Sequence, residues 1–197
     1  MKKYLLILAV MLLGANINAQ TQENKVFVGI IWGPSFPLGD LASKSTGNEN
    51  AGFAKPDRFN YVFDFGYNFY KTFGISASFY SYGFDVDSGS ASLSHSIGGI
   101  VAGPMLSIPI AKKLLFESKL NIGYINSDIA DDDPKYEKYS GKGLGVNLSA
   151  SLRYNIIKHF CLITEAGYLY SNQKFDDGNR QKIQVFNFGM GLALCFK

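Results

Sequence analysis

The residues best suited to nucleophilic chemistry are Ser94-His95-Ser96, with a hydroxyl on either side of an imidazole. A serine becomes a nucleophile when a base takes its proton and a third group orients that base. The second histidine, His159, lies in a short basic turn, Lys158-His159. The strand pattern described below puts that turn at the opposite end of the fold from His95, so the two imidazoles cannot cooperate. Ser94-His95-Ser96 therefore reads as the polar start of a strand and not as a catalytic site.

Gly141-Lys142-Gly143-Leu144-Gly145 has the outward look of a phosphate loop. Its glycine spacing is wrong and it runs into alternating residues, so no helix N-terminus awaits an anion. The acidic runs Asp85-Val86-Asp87, Asp131-Asp132-Asp133 and Asp176-Asp177 could attract hard cations or bridge lipopolysaccharide phosphates through Ca²⁺ or Mg²⁺. None has the ordered ligands and glycine of a calcium loop. They read as solvated loops, and no catalytic residue, cofactor or metal is expected. Left over are five charges isolated among small and apolar residues, Asp64, Glu117, Lys119, Arg153 and Glu165, and two cysteines, Cys161 and Cys195.

Elements able to hold such charges are visible in residues 59–70, FNYVFDFGYNFY. Aromatic side chains take every odd position from 59 to 69, while Asn60, Asp64, Gly66 and Asn68 fall in the gaps. A period of two is that of a β-strand with chemically different faces. The pattern recurs in eight runs, near residues 25–33, 58–69, 73–84, 94–110, 114–124, 143–154, 160–170 and 182–196. Along 143–154, Leu144, Val146, Leu148, Ala150, Leu152 and Tyr154 oppose Gly145, Asn147, Ser149, Ser151 and Arg153. The first run is apolar on both parities, through Val26, Phe27, Val28, Ile30, Ile31 and Trp32, so its faces stay open. Tight connections at 70–71, 111–113 and 156–158 alternate with long polar ones, the asymmetry of a transmembrane barrel with periplasmic turns and extracellular loops.

The polar faces decide which way the strands look. A soluble exterior is dense in long charged side chains, whereas these faces are mostly Gly, Ser, Asn and Ala. Small residues suit the narrow interior of an eight-stranded barrel. The apolar faces then point outward, into lipid. Phe69, Phe73, Phe116, Tyr154, Phe160 and Phe196 lie near the short turns, and Tyr61, Tyr124, Tyr168, Tyr170 and Phe186 near the long loops, as two interfacial girdles. Counted from the short turns, the five isolated charges fall in one inner layer, either a packing network or a gate for small solutes, because charges in a narrow lumen must pair or be hydrated. Cys161 and Cys195 share the inward parity, and a last hairpin symmetric about Gly178 sets them face to face. An oxidising compartment makes them a candidate disulfide, against two reduced packing cysteines.

The chain opens MKKYLLILAVMLLGANINAQ, a basic, apolar and small-residue series of signal-peptide type. Its apolar run is too short to span a bilayer as a helix. Cleavage is expected after Ala19, leaving one domain over residues 20–197. Loss of Lys2 and Lys3 leaves 17 of the 19 basic side chains against 16 acidic ones. Without a clustered cationic stripe there is no electrostatic case for nucleic acid.

With its signal peptide, eight alternating runs and final strand VFNFGMGLALCFK, the chain resembles the small outer-membrane β-barrels of Gram-negative bacteria, notably the OmpA-, OmpX- and OmpW-like barrel-domain proteins of Bacteroidota. The resemblance covers essentially the whole mature chain. It implies an all-β, eight-stranded antiparallel up-and-down transmembrane barrel that is a monomer in the outer membrane. Implied partners are outer-membrane lipids, lipopolysaccharide and the barrel-assembly machinery, which in such families reads a terminal aromatic, here Phe196 ahead of Lys197. The expected role is non-enzymatic: an envelope structural or adhesive protein, or a narrow pore. Two alternatives stand beside it, a secreted soluble lipocalin-like barrel binding an apolar ligand and an outer-membrane lipid-modifying enzyme.

Overall fold

The computed structural model describes residues 25–44, 51–87, 92–131, 139–176 and 178–197. The segment read as a signal peptide, Asp132, Asp133 and Asp177 lie outside the described residues. Eight strands follow one another: β1 (Val26–Leu38), β2 (Asp57–Asn68), β3 (Phe73–Asp87), β4 (Ser92–Ala111), β5 (Leu114–Asp131), β6 (Tyr139–Ile157), β7 (Phe160–Phe175) and β8 (Arg180–Phe196). Each pairs antiparallel with the next, and β8 returns to β1, with Val26 opposite Phe196, so the sheet closes as an up-and-down barrel. Closure leaves no unpaired sheet edge where the ring is complete.

Every strand buries one parity. On β2 the inward positions are Asn60, Val62, Asp64 and Asn68, while Tyr61, Phe63, Phe65 and Tyr67 are exposed on the outside. The ambiguous first strand is settled: Phe27, Gly29 and Ile31 point in, and Val28 and Trp32 point out. On β6 the outward apolar positions run from Leu144 to Tyr154. Ten residue steps of about 3.3 Å on a strand tilted about 40° make a band about 25 Å tall, the height of a bilayer's hydrocarbon layer.

The strands rise further than alternation of apolar and polar residues predicts. β3 continues to Asp87, β5 to Asp131 and β7 to Phe175, while β4 begins at Ser92 and β6 at Tyr139. Asp85-Val86-Asp87, read from the sequence as part of a solvated loop, therefore belongs to β3, and the connections after β5 and β7 shrink to residues 132–138 and 176–179. Above the apolar band the outward face turns polar, through Asn126, Lys142, Asn172, Lys174 and Lys182. Both faces of these strand tips then carry polar residues, and the contrast that marks a strand disappears although the pairing continues. Only the β1–β2 connection stays long, and part of it folds back over the mouth of the barrel. Leu41 and Ala54 are buried there, and Ala54 bridges to Val86.

The register of the last hairpin also differs from symmetry about Gly178. Cys161 pairs with Ala193, and Cys195 stands opposite Phe27 of β1. The cysteines are diagonal neighbours and not directly opposed. The hairpin turns one position earlier, with Gly178 supplying a left-handed residue at φ 89° instead of the centre of symmetry.

Candidate functional site: the charged lumen

The structure brings the five isolated charges together inside the barrel. Asp64 on β2, Glu117 and Lys119 on β5, Arg153 on β6 and Glu165 on β7 are all buried, Lys119 at 1% exposure and Arg153 at 0%. They resolve into two groups. The Lys119 ammonium sits between carboxylates, in contact with Asp64 and 2.8 Å from a Glu165 oxygen. One turn of the wall closer to the short turns, the Arg153 guanidinium donates to Glu117 at 2.7 Å. Ser78 donates to Asp64 at 2.8 Å and Ser107 to Glu117 at 3.2 Å, so the spare carboxylate lone pairs have partners. Ionised, the layer holds three negative and two positive charges. Burial of charge is tolerated only when paired and hydrogen-bonded in this way.

Phe27 joins the two groups. Lys119 Nζ lies 5.5 Å and Arg153 Cζ 4.5 Å from its ring centroid, so both cations face the π-cloud of one ring. Gly66, opposite Phe27 on β2, is needed there, because a Cβ would lie 2.1 Å from the ring. Phe27 escaped sequence reasoning because its strand is apolar on both parities. The glycine across the pair is the signal that could have found it.

Beneath the Arg153–Glu117 pair, at the short-turn end, Cys161 of β7 and Cys195 of β8 form a disulfide with Cα atoms 6.5 Å apart. Arg153 Nη1 lies 3.4 Å from the Cys195 sulfur, so the bridge underlies the ion layer. Phe196, the residue implied in assembly, is exposed on the outward face at the end of β8.

In the loop-side half of the lumen, large apolar and aromatic side chains stand among the small polar ones that alternation predicts, such as Ser35, Asn60, Ser127 and Ser171. Tyr80, Tyr82 and Phe84 follow one another up the inner face of β3 as tilted ring pairs, with centroids 5.6 and 6.4 Å apart. Ile97, Val101, Ile125, Leu169, Ile183 and Val185 pack around them into a continuous apolar plug. His95 is inside this half and fully buried, edge-on to Phe175 at 6.4 Å, with neither ring nitrogen hydrogen-bonded. β4 begins at Ser92, so Ser94-His95-Ser96 is the strand start expected of it, with Ser94 and Ser96 facing outward and His95 alone turned into the apolar interior, because successive residues alternate sides. His159 is at the other end of the barrel, where its Nδ1 lies 3.2 Å from the Cys195 carbonyl oxygen. Gly141, Gly143 and Gly145 lie within β6. Among the described residues no group of acidic, histidine or cysteine side chains has the arrangement of a metal site.

Solved barrels share this architecture. Neisserial surface protein A superposes with a TM-score of 0.61 at 10% identity, over 87% of this chain and 97% of that one. The fold is that of the small outer-membrane barrels. OprG of Pseudomonas aeruginosa gives 0.57 at 15% identity over 90% and 99% of the two chains. The attachment invasion locus protein Ail of Yersinia pestis gives 0.52 at 20% identity over 88% and 99%. At these identities the likeness is one of fold. No family model and no curated protein matches the chain.

Proposed function

We propose that this chain is a non-enzymatic barrel of the bacterial outer membrane, of the OmpA-, OmpX- and OmpW-like type, exported by a cleaved signal peptide. Its role on this reading is structural or adhesive, carried by the surface above the bilayer. The observation that supports it best is the inversion of the molecule: ion pairs and hydrogen bonds inside, and an apolar band outside. Hydrocarbon accepts no unpaired backbone polar group, and a closed barrel is the β-structure that leaves none. Lipids, lipopolysaccharide and an assembly machinery reading Phe196 are the partners such a protein needs.

The alternatives place their chemistry where these residues are not. A lipocalin-like carrier keeps a ligand cavity inside, yet here Phe27, Tyr80, Tyr82 and Ile125 are buried inside the barrel. A lipid-modifying enzyme needs its base at the lipid face, whereas His95 is buried in the plug. The narrow-pore reading would require the plug and the ion layer both to move. Planar-bilayer recording tests the closed lumen: reconstituted protein should show little or no conductance. Large, stable, porin-sized steps would contradict it.

A further inference from the structure

Outside the lumen the acidic side chains are segregated along the barrel axis, while lysines and arginines stand at both ends. At the short-turn end, Lys25, Lys71, Lys112, Lys113 and Lys158 are exposed, and none makes an ion pair among the described residues. No Asp or Glu side chain accompanies them among the described residues there. Asp40, Asp85, Asp128 and Asp176 all lie at the opposite, loop end.

The ring is fixed in place by the backbone. The Asn68 amide donates to the Lys25 carbonyl at 2.7 Å, Ser107 to Thr72 at 2.8 Å, Asn155 to Lys113 at 2.8 Å and Cys195 to His159 at 2.9 Å. Each short turn is thereby tied to the strand beside it, which keeps the lysines at the short-turn rim of the barrel. Immediately toward the band stand Phe69, Tyr70, Phe73, Tyr154, Phe160 and Phe196, all exposed. The lysines lie one or two residues beyond these rings, about 3–7 Å along a strand. A bilayer's headgroup layer is about 5–8 Å thick on each side, so the ammonium groups reach phosphate depth while their stems lie along the aromatic girdle.

We infer that this ring is a binding site for the phosphates of anionic phospholipids in the membrane leaflet at the short-turn end. The inference rests on the outer-membrane reading above. Lysine is a compact point charge suited to a phosphodiester. The backbone that carries the ring is already held by the barrel, so meeting headgroups orders only the lysine side chains.

Electron spin resonance of spin-labelled lipids around the reconstituted protein tests it. In bilayers of phosphatidylcholine, wild type should show a motionally restricted lipid component, which reports insertion alone. Labelled phosphatidylglycerol should be preferred over labelled phosphatidylcholine by about fivefold where a headgroup meets one lysine. The preference should fall towards parity in 1 M salt and in K25Q/K71Q/K112Q/K113Q/K158Q. It should persist in the loop-end control K142Q/K174Q/R180Q/K182Q, and inorganic phosphate at matching concentration should not abolish it. Equal association of both lipids with inserted wild type, or loss of preference only in the loop-end control, would overturn the site. Absence of any restricted component would instead sink the membrane reading itself.

Discussion

Lys119 has the most exacting surroundings of any residue in the barrel. Its ammonium is shared between Asp64 and Glu165, with water excluded from all three. Replacing it by methionine keeps the stem but strands two buried carboxylates. Removing one partner of a buried ion pair costs about 3–5 kcal/mol. Denaturant unfolding of Lys119→Met in bilayers should show a loss of that size, and the neutral triple variant D64N/K119M/E165Q should recover most of it. Unchanged stability in Lys119→Met would mean that the triad is open to water. The charges themselves were legible in the sequence, since a lone Asp, Lys or Arg on the small-residue parity of a strand has nowhere to go but inward. Phe27, Tyr80 and His95 were not, because alternation reports only the difference between faces. Where both parities are apolar or aromatic, as in Phe79-Tyr80 or Val26-Phe27-Val28, that difference vanishes.

Strand β6 displays the logic at the scale of an element. Leu148 is 55% exposed, and its neighbour Ser149 is buried, facing Lys119 across the pair and Gly167 on the other side. An arginine at Leu148 would stand in the middle of the apolar band, where such a substitution costs about 2–4 kcal/mol in a lipid bilayer. Reversible unfolding of Leu148→Arg should give that loss, and the same change at Lys142, above the band, should give almost none. Equal effects at both positions would place the band somewhere other than the bilayer. The last hairpin carries a second expectation. The Cys161–Cys195 bridge closes a segment of 34 residues between β7 and β8. In the chain-entropy account such a crosslink is worth about 3–4 kcal/mol. The C161S/C195S variant should unfold at correspondingly lower denaturant, while a stability equal to wild type would show that the neighbouring pairing already restrains the open chain. Strand existence, order and inward parity were readable from period-two alternation. Strand ends were not, since Asn126, Lys142 and Lys174 on the outside look like loop residues while the inward side of the same strands continues through Ser127, Gly143 and Gln173.

At the scale of the whole molecule the barrel is a closed wall around a filled axis, with disulfide, ion layer, aromatic stack and a folded-over loop succeeding one another from the short turns to the mouth. Such a cylinder is stable only if its outside meets an apolar solvent. The chain carries its own reporter of that solvent, because Trp32 is its one tryptophan and stands 38% exposed on the outward face of β1, between Tyr61 and Met190. Fluorescence of the unmodified protein in vesicles of acyl-chain-brominated lipid is the most direct measurement. The account predicts blue-shifted Trp32 emission that is strongly quenched by the brominated chains and barely touched by aqueous iodide. Emission at the wavelength of a water-exposed indole, quenched by iodide and indifferent to brominated lipid, would contradict it.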